Sequence, residues 1–374
     1  MSLIENLPDN AGIIICGHGS RAKIAEEEFS LLAKGLRARF PKANVEYGFL
    51  EYSAPNIHMA LDALVEQGVT KIHAVPGMLF AATHAKNDIP SVLTTYQQKH
   101  PGLEIEYGQE LGLQDEMIEA FQARILESLG FDKIPATGEL YDTMLVVVGR
   151  GTSVVEANAE AAKLTRIVCE NLGFGWSETV YSGVTFPSVG RGLEMAVKLG
   201  FKKIVVAPYF LFGGKLIDRI YAYVDKVAAE TADVEFIKAD YLRDQAHVID
   251  SFVKRIEETI DGAENGSAKQ GLLDDFRGRL ERGEVEVHHH HAEFKAEHSH
   301  DHEHSHQHEH SHGHDHSHGH SHAPYKHIAH PQGPRTMIND NVCCCFMGQF
   351  PQHVVDEEKQ LKAELPGTPS CKKN

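Results

Sequence analysis

The chain has 374 residues, a length that ordinarily divides into two domains with extra segments, and its 42% hydrophobic content is ample for real cores. A formal charge of −17 with no offsetting basic stripe excludes a nucleic-acid binder, and a polyanionic substrate would have to be held by local Lys and Arg. With no apolar run of about 18 residues and no leader of basic then apolar character, neither a membrane span nor a signal peptide is expected, and a cytoplasmic location fits.

In chain order, GIIICGHGS is an apolar run closing on glycines, followed by a helix from about Ala25 to Arg39. NVEYGFLE reads as a second strand, then a helix from about Asn56 to Gln67, a third strand in KIHAVPGMLF and a helix through VLTTYQQK. LEIEYGQEL supplies a fourth strand, and DEMIEAFQARILESLG carries apolar residues at helical spacing. Short apolar strands alternating with helices predict a parallel sheet covered on both faces.

The pattern then restarts at one fixed offset of 132 residues. Gly17-His18-Gly19-Ser20 is matched by Gly149-Arg150-Gly151-Thr152, Pro55 by Pro187, and Gly68-Val69-Thr70 by Gly200-Phe201-Lys202. Pro76 with Leu79-Phe80 is matched by Pro208 with Leu211-Phe212. The chain is therefore read as two tandem duplicated α/β domains with parallel sheets, at 11–133 and 140–262, joined by a linker containing Pro135 and Gly138. The apolar material runs out near residue 262, and 263–374 reads as linker, histidine-rich tract and cysteine-containing tail, with a short helix in LLDDFRGRLERGEVEV.

Parallel sheets bind ligands at the C-terminal ends of their strands. His18 follows the first strand, Glu51 ends the second and His84 sits in the loop after the third, at a constant spacing of 33 positions. Two imidazoles and a carboxylate suit a borderline divalent ion and leave coordination positions free, and a neutral imidazole can accept a proton. The duplication is an internal control: the same positions in the second half are Arg150, Gly183 and Leu216, none of them a ligand. His58, His73, His100 and His247 read as ordinary surface or helix positions, Cys16 as a buried strand residue and Cys169 as a helix residue.

GHGSR (17–21), FLE (49–51) and PGMLFAATHAKNDIP (76–90) resemble the motifs of the class II chelatases, the sirohydrochlorin cobaltochelatases and their ferro- and nickel-chelatase relatives. The two-domain length with a histidine-rich C-terminal region is similar to the long-form cobaltochelatase of cobalamin biosynthesis. The resemblance implies chelatase-like, Rossmann-like domains and a lyase that inserts Co²⁺ into sirohydrochlorin without ATP. It implies His18 and His84 as metal-binding and catalytic, Glu51 as their acidic partner, and the tetrapyrrole in the cleft between the domains. The expected partners are sirohydrochlorin and a divalent metal, with no nucleotide, nucleic acid or membrane and with self-association left open. Arg21, Lys86 and Arg150, with Lys215 and Arg219 in the matching loop of the second half, are candidates for the substrate's carboxylates. Insertion of Fe²⁺ or Ni²⁺, or a non-enzymatic cobalt or nickel store or metallochaperone, are the rival readings. A nucleotide site is disfavoured because G-x-G-x-x-G and Walker patterns are both absent.

Between residues 288 and 322 lie seventeen histidines: His288, His289, His290, His291, His298, His300, His302, His304, His306, His308, His310, His312, His314, His316, His318, His320 and His322. With so few apolar groups this tract is expected to be disordered without metal and to act as a Co²⁺ or Ni²⁺ reservoir. The chain's six cysteines do not suggest a disulfide framework. Some long-form chelatases carry a cysteine-containing C-terminal region that binds an iron–sulfur cluster, which makes Cys343, Cys344, Cys345 and Cys371 candidates for a cluster or another thiolate metal site. Three adjacent cysteines depart from a C-x-x-C spacing.

Overall fold

The computed structural model describes residues 2–183, 185–265 and 272–287, with His353. The histidine tract and the four tail cysteines lie outside the described residues. In the first half, β1 (Ala11–Gly17), β2 (Asn44–Phe49), β3 (Lys71–Pro76) and β4 (Glu104–Tyr107) alternate with α1 (Lys23–Arg39), α2 (Ile57–Glu66), α3 (Ile89–Lys99) and α4 (Asp115–Leu129). The second half repeats the series with β5 (Thr143–Gly149), α5 (Val155–Leu172), β6 (Trp176–Tyr181), α6 (Val189–Lys198), β7 (Lys203–Pro208), α7 (Lys215–Glu230), β8 (Glu235–Lys238) and α8 (Ala246–Asn265). All pairings are parallel, and the two sheets have the orders β2-β1-β3-β4 and β6-β5-β7-β8.

The central strands explain why the sequence shows continuous apolar runs there. β1 and β5 are buried along their whole length because helices cover both faces. The helix starts obey the same duplication: the Asn56 side chain accepts the Met59 amide at 2.8 Å, and Ser188, 132 residues later, accepts the Arg191 amide at 3.2 Å. Strands β2, β3 and β4 are shorter than the apolar runs suggest. β2 stops at Phe49, paired with Gly17, because its partner β1 stops there; Glu51 therefore lies beyond the strand.

Each half does not close on itself. Helix α4, the last of the first repeat, packs against α5, α8 and strands β7 and β8, whereas α8 packs against α1, β3 and β4. Phe121 of α4 meets the ring of Tyr209 edge-on at 5.0 Å, and Thr259 of α8 bonds the His73 imidazole at 3.1 Å. His73 is accordingly no surface residue: only 2% exposed, it sits on an inner strand and finds its polar partner on the exchanged helix. The buried Glu28 carboxylate on α1 accepts from Tyr241 Oη and from the Gly213 amide, both at 2.7 Å, and so ties the first repeat to two loops of the second.

The core also continues past residue 262. Helix α9 (Leu272–Glu281) buries Leu272, Leu273 and Phe276 and lies against α3 and β4 of the first half. No helix among the described residues is long and apolar enough to cross a membrane.

Candidate metal centre

In an order β2-β1-β3-β4 the chain leaves β1 to one side and returns to β3 on the other. The loops that follow β1 and β3 therefore diverge and leave a crevice at the strand ends. His18 follows β1 and His84 opens the segment after β3. Glu51 comes in from the neighbouring β2. Their ligand-type atoms all lie within 4.8 Å of one another, and all three residues are half-buried. Bonds of about 2.1 Å at tetrahedral angles would set ligand atoms roughly 3.4 Å apart, so a small inward closure completes a site.

Backbone geometry sets Glu51 against His18. The Glu51 amide donates to the His18 carbonyl at 3.1 Å, and the Ser53 hydroxyl both accepts the Ser20 amide at 3.0 Å and donates to the Ser20 carbonyl at 2.9 Å. The approach is so close that a Cβ on residue 19 would stand 1.7 Å from the Glu51 carbonyl oxygen, and Gly19 also has φ +92°. Only glycine serves there. His18 Nε2 is 3.6 Å from Glu51 Oε1, and the two imidazoles meet edge-to-face with centroids 4.3 Å apart.

Each histidine has its Nδ1 engaged, which frees Nε2. His18 Nδ1 donates to the Gly19 carbonyl at 3.0 Å, since a carbonyl can only accept. His84 Nδ1 is 2.6 Å from Asp88 Oδ2, a carboxylate behind an imidazole of the kind that orients metal-binding histidines. Burial first, then the nearby charges of Arg150 and His84, push the His18 pKa down to about 3, so its Nε2 lone pair stays available throughout the physiological range.

His84 does not lie in an open loop. It begins a single π turn, His84–Asp88, that runs directly into α3. The extra residue of a π turn brings His84 and Asp88 onto one face, and such turns are frequent at functional sites. Lys86 lies within this turn. Lys215 and Arg219, expected in a loop, occupy the first two turns of α7, because Gly213-Gly214 completes the connection and the apolar spacing of Leu216, Ile217 and Ile220 starts the helix at once. Gly214 abuts Ala22, so this helix start faces the first repeat. Arg150 is solvent-exposed over part of its length, yet its guanidinium is crowded enough that desolvation lowers its pKa, with the Glu51 carboxylate opposing that shift. Arg21 lies with its guanidinium 4.8 Å above the Tyr52 ring.

Three further residues at the centre escaped the sequence reading. Asp88 carries a usable signal, the i,i+4 spacing from His84. Tyr52 adopts φ +65°, stands 49% exposed and stacks on His18 at 6.4 Å. A side chain held in the left-handed region beside a ligand cluster points to function, but sequence gives no sign of that conformation. Arg279, which bonds the turn at Lys86 and Asn87, is nearly two hundred residues away from His84.

A duplicated parallel α/β fold with a two-histidine, one-carboxylate cluster at one switch point defines a chelatase-type molecule. A family model described as CbiX matches residues 12–128 and again 144–259, and the chain belongs to the CbiX family. The chain is 34% identical over 251 residues to a sirohydrochlorin cobaltochelatase of Priestia megaterium, covering 67% of this chain and 80% of that one. It is 28% identical over 250 residues to a sirohydrochlorin ferrochelatase of the same organism, covering 66% and 90%. Among solved structures it is similar to SirB from Bacillus subtilis with Fe³⁺, with TM-score 0.60, 28% identity and coverage of 68% and 98%.

Proposed function

We propose that this protein is a sirohydrochlorin cobaltochelatase, a class II chelatase that inserts Co²⁺ into sirohydrochlorin without ATP. The observation that carries the reading is the convergence of His18, Glu51 and His84 at the switch point of the first sheet, in a family whose similar members handle this tetrapyrrole. Cobalt is preferred over iron because identity to the cobaltochelatase exceeds that to the ferrochelatase. Affinity order alone does not separate these metals.

Three ligands hold the ion loosely, with positions left for the macrocycle nitrogens. As the ion passes to the ring, the displaced pyrrole protons need a base. His18, with its pKa pushed down to about 3, is a poor one and serves as ligand. His84, with the Asp88 carboxylate against its Nδ1, is the group placed to take the protons once its Nε2 is released. Arg21 by Tyr52 and Arg150 by Glu51 are the cations beside the cluster for the carboxylates of the tetrapyrrole, with Lys86 of the π turn and Lys215 and Arg219 of α7 as further candidates, and Tyr52 is the aromatic ring for the macrocycle.

The histidine tract is proposed as a reservoir in the cytoplasm, and Cys343, Cys344, Cys345 and Cys371 as a thiolate metal or iron–sulfur site, to be read by iron and sulfide analysis. Deleting 288–322 should slow loading under metal scarcity and leave the rate at saturating cobalt intact. The function itself is tested by following the absorbance of sirohydrochlorin with Co²⁺, Ni²⁺ and Fe²⁺ in competition. Cobalt-sirohydrochlorin should predominate; faster iron insertion would make the protein a ferrochelatase, and no insertion at all would leave a metal store.

A further inference from the structure

Helix α9 lies beyond residue 259, where the family match ends, and still reaches the candidate metal centre. Its Leu272 and Leu273 are buried in the same apolar cluster as Ile89 and Leu93 of α3, and Arg277 Nη2 donates to Gln97 Oε1 at 2.6 Å. The decisive contact is made by Arg279. Its Nη1 donates to Asn87 Oδ1 and its Nη2 to the Lys86 carbonyl, both at 2.7 Å, while Nε is held by Asp275 Oδ2 at 2.8 Å. The side chain is only 14% exposed, and Asn87 and Asp88 are buried.

Lys86 and Asn87 are the middle of the π turn that opens with His84 and closes with Asp88. A π turn departs from the regular i→i+4 ladder, here with the Ile89 amide reaching the His84 carbonyl, and it persists only where its surroundings hold it. A planar fork spanning one backbone carbonyl and the adjacent amide side chain restrains both. Relaxation to the ordinary helical register would turn His84 by about 100° about the axis, away from His18 and Glu51.

We infer that Arg279 is a positioning residue for His84: α9 is a brace, added after the duplicated fold, that locks the π turn in the register that aims the imidazole and Asp88 at the metal. The inference rests on the chelatase reading for its kinetic consequence, though not for its structural one. Sequence adds that the histidine run begins at His288, nine residues after Arg279, so the brace is also the stem from which that run departs.

The test uses the full-length protein. Arg279→Ala should raise the KM for cobalt about 10-fold, the scale of losing outer support of a metal ligand, and lower kcat at saturating cobalt by less than the His84→Ala loss, with the KM for sirohydrochlorin changed less than about 3-fold. Arg279→Lys, which keeps the charge but not the fork, should fall between. A merely structural role would lower thermal stability and leave the cobalt KM alone, and that result overturns the inference. If Arg279→Ala does not fold, Asn87→Ala and Arg279→Lys carry the same comparison. Should the wild-type protein insert no metal, the functional reading fails separately. Hydrogen exchange of amides 84–89 then decides for the brace, with faster exchange in the Arg279 variant expected and unchanged protection against it.

Discussion

The two repeats present almost the same backbone at their strand ends and different side chains at the positions of the cluster. In the first, the Leu50 amide donates to the Gly17 carbonyl and the Ser53 amide to that of Glu51; in the second, Ser182 donates to Gly149 and Thr185 to Gly183. Gly19 has φ +92° and its partner Gly151 φ +78°, and a Cβ on either would collide with the carbonyl of residue 51 or 183 at 1.7 and 1.8 Å. Yet where the first rim carries His18 and Glu51, the second carries Arg150 and Gly183. The loop geometry thus stands without the three-residue cluster, and the cluster is carried by a scaffold that does not need it.

The repeats also part company in backbone after the third strand of each. The first half inserts a π turn, braced by α9, before α3; the second starts α7 directly after Gly213-Gly214. This is the one place where placing His84 demanded a departure from the shared fold.

The sharpest way to probe this asymmetry is to alter the cluster on one side. Glu51→Gln keeps the shape and loses the charge; the insertion rate should drop about 100-fold at limiting cobalt, measured by the absorbance assay. Asp88→Asn should weaken cobalt KM by about 10-fold while the fold is retained. Equal effects from Gly183→Ala, the matching position of the second half, would break the comparison. Tyr52→Ala and Arg150→Ala should each raise the KM for sirohydrochlorin about 5-fold through lost stacking or a lost carboxylate partner, leaving the cobalt KM unchanged. Unaltered sirohydrochlorin affinity would remove them from the substrate site.

The smallest effect concerns the exchanged helix. Burial, then the charge of Lys71, holds the His73 pKa down at about 4, below the 6.5 of an unfolded chain. The unfolded state therefore binds the proton first, so stability is full above pH 6.5 and declines as pH falls toward 4. His73→Gln should flatten that part of the pH–stability curve in urea unfolding; an unchanged slope would show that His73 does not sense the fold.

Much of this was legible in the chain itself. Strand and helix order, the 132-residue duplication and the three cluster residues follow from apolar runs, glycines and ligand-type side chains at strand ends, and the duplication separated His18, Glu51 and His84 from the scaffold. The exchange of α4 and α8 was not legible, because an amphipathic helix does not say which sheet its apolar face will meet. His73 was misplaced for the same reason: its partner Thr259 lies on the exchanged helix. Arg279 and Tyr52 act through a long-range hydrogen bond and a left-handed backbone, neither of which leaves a local pattern.

Equivalent positions of the two repeats provide the most direct test of the central claim. Cobalt insertion at saturating Co²⁺ and sirohydrochlorin should be measured for His84→Ala and for Leu216→Ala, the residue 132 positions later. His84→Ala should lose at least about 100-fold, and Leu216→Ala should stay within about 3-fold of wild type. A wild-type rate from His84→Ala would contradict the claim.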